Sequence, residues 1–288
     1  MRKRTHKRNK NMKVIAASVA LLACAAGGGL AALNTLDTRT ADRYGCFDGA
    51  AQRHTAALID VSEPRWNGEQ ARSIRRYLER LYDSLAFNER LSVYTSEEDV
   101  MASVAVPRFS VCGQARTPEE LKAVNAEGGS AGYFQKQRER LYEKVLAPEL
   151  DALLSETPDD GRRQPFQSPI LEMIADMSRT PTLGPGSRLV VISDLIQNSD
   201  SAQFCRVRGA MPPFSSFKGR SLYQRLKPRS LEGVEVEVLM VQRYGYGQGG
   251  LRYCYSEEEL RRFWHDYLVD NGVQSPTFIR IRHGGTGE

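Results

Sequence analysis

Histidine, tryptophan and cysteine are scarce in this chain, with four, two and five copies among 288 residues. His6, His54, His265 and His283 are scattered, which gives little support to a histidine-based catalytic set. The sequence contains no C-x-x-C pair, no Cys/His zinc spacing, no Walker glycine loop and no His-Glu-x-x-His. Long apolar runs are nearly absent too. Only one uncharged stretch could cross a bilayer, which excludes a multi-span membrane protein. With 41% apolar and 26% charged residues, collagen-like and wholly disordered chains are excluded as well.

The formal charge of +5 belongs to a tail rather than to the fold. Arg2, Lys3, Arg4, Lys7, Arg8, Lys10 and Lys13 supply seven of the 40 cations, which leaves 33 against 35 acids, or −2. A domain so near neutrality has no global electrostatic reason to seek nucleic acid. After Lys13 come twenty residues without a charge, Val14 to Leu33, enough for one helical crossing of roughly 30 Å. Cations before the run and none just after it place the amino terminus in the cytoplasm. The expectation is a basic tail (1–13), a transmembrane anchor (14–33), a linker (34–54) and an extracytoplasmic domain (55–283), single-pass in the inner, cytoplasmic membrane. A cleaved signal is the alternative for this segment, and so is lipidation at Cys24, from the lipobox-like Leu21-Leu22-Ala23-Cys24.

Beyond Cys24 the thiols are even in number: Cys46, Cys112, Cys205 and Cys254. Two disulfides suit an exported domain, and four buried thiols are the alternative. The expected sheet places Cys205 and Cys254 beyond the carboxyl ends of neighbouring parallel strands. Cys46, before the first strand, and Cys112, ending an antiparallel one, fall at the opposite end, so the pairs Cys46–Cys112 and Cys205–Cys254 are favoured.

Apolar runs alternate with helix-period segments. His54 to Ser62 reads as a buried strand, and Gly68 to about Leu85 as a helix with Ile74, Leu78, Leu81 and Leu85 on one face. Arg90 to Ser96 and Ser103 to Cys112 read as a hairpin, with Pro107 pointing to an edge. A helical insertion over about 113–166 decorates the sheet, with a charged helix from about Tyr133 to Ser155. Ser168-Pro169 starts a helix with proline at its first position. Strands at Ser187 to Leu195, Val234 to Gln242 and Pro276 to Arg282, and a helix from Ser256 to Val269, complete the order. This predicts an α/β fold, a doubly wound, mostly parallel open sheet with an antiparallel edge hairpin. Trp66, Phe263 and Trp264 read as packing residues, while Tyr244, Tyr246, Tyr253 and Tyr255 around a glycine-rich loop form either an aromatic rim or a plain loop.

In such sheets ligands gather beyond the carboxyl ends of the strands. The two most apolar strands end in Asp60-Val61-Ser62-Glu63-Pro64 and Ile192-Ser193-Asp194, acids with neighbouring hydroxyls that suit a hard cation. Here the sequence resembles a von Willebrand factor A domain over about residues 55–283. The resemblance implies a metal-ion-dependent adhesion site of D-x-S-x-S, a Thr from a later loop and an Asp after the fourth strand. Asp60 and Ser62 match its first two positions and Asp194 its last. Ser168 stands for the Thr, ahead of Thr180 and Thr182. Pro64 replaces the second Ser and offers no hydroxyl, so the site is a degenerate one. Magnesium is the implied cofactor, and a protein partner offering an acidic residue is the implied ligand. Capping of turns or helices by the same residues, with no metal, is the plainer alternative.

A membrane-tethered interaction module is therefore expected, and not an enzyme. The alternative is a hydrolase or phosphatase with Asp60 as nucleophile, in which Ser62 would replace the usual second acid. Relief of repulsion between Asp60 and Asp194 is expected to leave an Asp60→Ala variant folded.

Overall fold

The computed structural model describes residues 38–62, 66–96, 106–155, 167–204, 211, 213–242 and 256–282. Five strands run parallel: β1 (His54–Ile59), β2 (Arg90–Thr95), β4 (Arg188–Ser193), β5 (Glu235–Val241) and β6 (Thr277–Ile281). The short β3 (Phe109–Cys112) pairs antiparallel with β2 and closes one edge. The order is β3-β2-β1-β4-β5-β6, so succession reverses between β1 and β4. In doubly wound sheets a reversal of this kind marks the crevice beyond the carboxyl ends where ligands bind.

Helices cover both faces, which is why β1 and β4 read as unbroken apolar runs. On one face Ala57, Ile59, Val93, Val190, Ile192 and Leu239 meet α1 (Gly68–Ser84) and α4 (Ala147–Leu154). α1 begins at Asn67, whose side chain accepts from Gln70 N in a capping box, and it buries Ile74, Leu78 and Leu81 at helical spacing. On the other face Ala56, Leu58, Leu189, Val191 and Val238 meet α5 (Ile170–Met177), α6 (Phe214–Lys218), α7 (Tyr223–Leu226) and α8 (Glu257–Asp270). Phe263 and Trp264 of α8 are core residues, as is Trp66 on the opposite face.

The segment expected to decorate the sheet packs helices onto it. α2 (Pro118–Ala123) and α3 (Ala131–Leu141) close a small apolar cluster with Phe47, Leu121 and Phe134. A single π turn, Tyr142–Leu146, then joins α3 to α4. Pro148 has no N–H to give the carbonyl four residues back, and the wider turn sits directly before it. Leu146, Leu150 and Leu153 enter the principal core beside α1. This departs from a single charged helix over Tyr133–Ser155, because the buried leucines and not the charges decide where the segment lies.

Cys46 and Cys112 form a disulfide, as the sheet order predicts. Cys205, Cys254, the four loop tyrosines and the anchor at 14–33 lie outside the described residues. Among the described residues no helix is long and apolar enough to cross a membrane.

Candidate functional site

Asp60 directly follows β1 at the crevice and is only 4% exposed. Its carboxylate is the centre of a hydrogen-bond hub. Oδ1 accepts from Ser62 N at 3.1 Å and from Ser96 Oγ at 3.0 Å, and Oδ2 accepts from Ser168 Oγ and Ser193 Oγ, both at 2.8 Å. The donors come from the residues after β1 and β2, the end of β4 and the turn before α5. Parallel register makes this possible: Ile59 lies opposite Thr95 on one side and Ile192 on the other, so the next residues on all three strands meet. Four donors on one buried anion offset the cost of removing its charge from water.

Ser168, the candidate for the Thr position, is therefore in direct contact with Asp60. It does not cap α5 with its side chain. Pro169 occupies the N-cap position, not the first helical turn, and its ring cannot accept a hydrogen bond. The cap function passes to Gln197, whose Oε1 accepts from Leu171 N at 2.9 Å while Nε2 donates to Glu172 and Ser199. Reciprocal backbone bonds between Ser168 and Asn198 fix the same turn to the loop after β4. Ser168 is thus aimed at Asp60 by a residue pair about thirty positions downstream.

Asp194 lies at the same end but turns to its own loop, where Oδ1 accepts from Ile196 N at 2.9 Å. Thr180 is placed elsewhere: its hydroxyl donates to Met177 O at the far end of α5, and Thr182 faces Tyr94 across 3.4 Å. Glu63 and Pro64 lie outside the described residues. Ser96 and Ser193 are additions that the D-x-S pattern alone does not reveal.

The hydroxyls differ in what they have left to offer. Ser96 Oγ accepts from Val61 N and Ser193 Oγ accepts from Leu195 N, and each donates its proton to Asp60. Both act as bridges between backbone and carboxylate. Ser168 Oγ donates to Asp60 and, among the described residues, accepts from none. An oxygen set of Asp60, Ser62, Ser168 and Asp194 matches the preference of magnesium for hard ligands, and a hydroxyl that donates to a carboxylate can still ligate through oxygen. The residues present fit a divalent cation. Among the described residues there is no group of three or more His, Cys, Asp and Glu side chains placed to hold a metal, so any such site here depends on the hydroxyls.

Leu195, just past the acid, adopts a φ of 65° although it is not glycine. Such a conformation costs roughly 1–2 kcal/mol. It is held by burial and by Trp264 Nε1, which donates to Leu195 O at 2.9 Å from α8. Trp264→Phe keeps an aromatic ring but leaves that buried carbonyl without its donor. It should lower stability in urea by about 2 kcal/mol, and a change under roughly 0.5 kcal/mol would show that the bond does not hold the turn.

Fold and site together define a six-stranded, doubly wound α/β domain with a carboxylate–hydroxyl hub at its switch point. No protein-family model matches the chain, and no curated protein matches it. The crystal structure of the conserved hypothetical protein BatB from Bacteroides thetaiotaomicron is similar at 14% identity, over 79% of this chain and 89% of that one, with a TM-score of 0.35.

Proposed function

We propose that this chain is a von Willebrand factor A-like interaction module, tethered to the cytoplasmic membrane by residues 14–33 with its domain on the extracytoplasmic side. Its crevice at Asp60 captures an acidic side chain of a protein partner with the help of a divalent cation, magnesium being the best match to the donors. The observation that carries this reading is the 2.8 Å contact of Ser168 Oγ with Asp60 Oδ2 at the switch point, because it joins the two halves of the expected ligand set. Ser62 and Asp194 follow β1 and β4 at the same end of the sheet. A bound cation supplies the positive charge that a partner carboxylate needs in a crevice whose own acids are negative. Pro64 withholds one hydroxyl, so affinity for metal alone is weak.

The nucleophile reading has no comparable support. Both oxygens of Asp60 accept two hydrogen bonds each, and an anion stabilised by four donors in a buried position is a poor nucleophile.

Calorimetry of the full chain with magnesium and with manganese tests the site. Binding in the millimolar range or tighter is expected, lost in Ser168→Ala and in Asp194→Ala. Absence of binding up to millimolar metal, or binding that both variants retain, would leave the hub a metal-free clasp between strand ends.

A further inference from the structure

If residues 14–33 are the anchor, and this inference rests on that reading, the orientation of the domain follows from where the chain joins the fold. Arg39 N donates to Asn125 O, Cys112 N donates to Tyr44 O, and Cys46 is bonded to Cys112. Only residues 34–38 separate Leu33 from Arg39, and an extended chain of that length reaches roughly 20 Å. Cys112 pairs with Arg90 at the start of β2, so the attachment lies at the amino end of the parallel strands. The amino end is therefore held close to the bilayer. The Asp60 crevice lies beyond the six residues of β1, about 20 Å further out.

That same end carries unpaired positive charge. From Ser201 to Leu231 the sequence has no acid. Lys218, Arg220, Arg225, Lys227 and Arg229 in this stretch are all exposed. Lys218 pairs with Asp270, which Lys227 also faces at longer range, and Arg220, Arg225 and Arg229 have no acidic partner among the described residues. Arg225, Lys227 and Arg229 lead from α7 into β5, which puts them at the amino end. There the loops before β4, β5 and β6 are joined: Gly186 N donates to Gly233 O, Arg229 N to Ser178 Oγ, and Leu231 N to Asn271 O. Arg53 Nε, just before β1, donates to Gly186 O. Neighbouring cations are neutralised, Arg179 by Asp176, Arg188 by Glu235 and Arg90 by Asp48, and Glu232 opposes the remainder. Between Arg179 and Arg229 runs an open groove of about 720 Å³, with Thr180, Ser230 and Gln274 on its walls.

We propose that this amino-end surface rests on the anionic phospholipid headgroups of the membrane that holds the chain, with Arg225, Lys227 and Arg229 against the phosphates. The short tether selects a lipid surface over an acidic polypeptide, because the bilayer is what it brings within reach of this end and not of the other. Docking here would present the Asp60 crevice outward. Each cation near an anionic membrane surface strengthens its attraction by about fivefold, so removing three weakens it roughly a hundredfold.

The test compares hydrogen exchange of the full chain in nanodiscs of phosphatidylglycerol and of phosphatidylcholine. Residues 223–234 are expected to exchange at least about tenfold more slowly in the anionic discs, an effect removed by molar salt and by the triple variant Arg225→Gln, Lys227→Gln, Arg229→Gln. Residues 194–199, at the opposite end, should exchange alike in both lipids. Equal exchange of 223–234 in the two lipids overturns the proposal. If the chain fails to enter discs, the anchor reading falls, and the surface is judged by sedimentation with phosphatidylglycerol vesicles. Binding that the triple variant loses then supports it, and no binding overturns it. Displacement from those vesicles by poly-glutamate at equimolar charge would assign the surface to an acidic polypeptide and overturn it too.

Discussion

Asp60→Ala will destabilise the domain by about 3 kcal/mol, contrary to the expectation that relieving carboxylate repulsion would leave it untouched. Among the described residues no second carboxylate is hydrogen-bonded to Asp60. Instead its two oxygens satisfy Ser62 N and the hydroxyls of Ser96, Ser168 and Ser193, and these three serines are each no more than 3% exposed. Removing the acceptor strands several buried donors at roughly 1–3 kcal/mol each, offset in part because a buried anion no longer has to be desolvated. Asp60→Asn keeps one acceptor oxygen but points an NH2 at hydroxyls that already donate, so about half the loss should remain. Urea unfolding of the two variants measures both effects. A variant as stable as the parent, or more so, would mean that Asp60 is an uncompensated charge awaiting a cation, and the clasp would not be what holds the strand ends together.

The fold was legible where burial is two-sided. Ala56–Ile59 and Leu189–Ile192 carry no polar residue, because helices cover both faces of the sheet at those strands. Pro107 marked the edge hairpin, while the capping boxes of Asn67 with Gln70 and Ser256 with Glu259 emerge from the structure. The site was legible at Asp60 and Ser168 and obscure around them. Ser96 and Ser193 are ordinary residues at strand ends, and their convergence depends on the register of β1 with both neighbours, a property of hydrogen-bond pairing between strands far apart in sequence. The cap of α5 came from Gln197, twenty-six residues beyond Leu171, so no local pattern could announce it. Leu195 gave no glycine signal for its left-handed turn, since the packing of α8 and the Trp264 bond hold a conformation that its own side chain disfavours.

Breaking the Cys46–Cys112 bond should cost about 4 kcal/mol, the loop-closure entropy returned to an unfolded chain when a cross-link spanning 66 residues is removed. Both sulfurs are buried, so Cys46→Ala with Cys112→Ala is a cleaner comparison than reductant. The bridge encloses β1, α1, β2 and β3, and it pins the chain before β1 against the end of β3, where Asp42 Oδ1 also accepts from Tyr44 N and Cys46 N. Urea unfolding of the double variant is expected to show the full loss. A difference under about 1 kcal/mol would mean that the remaining contacts already restrict this segment in the unfolded ensemble. The variant also probes orientation at the membrane. Should residues 38–53 come away once the bond is gone, the tether from Leu33 to β1 grows to 20 residues, roughly 70 Å at full extension. Protection of residues 223–234 in phosphatidylglycerol discs should then fall while the exchange of residues 194–199 stays unchanged, because it is the short attachment that keeps the cationic end of the sheet against the lipid.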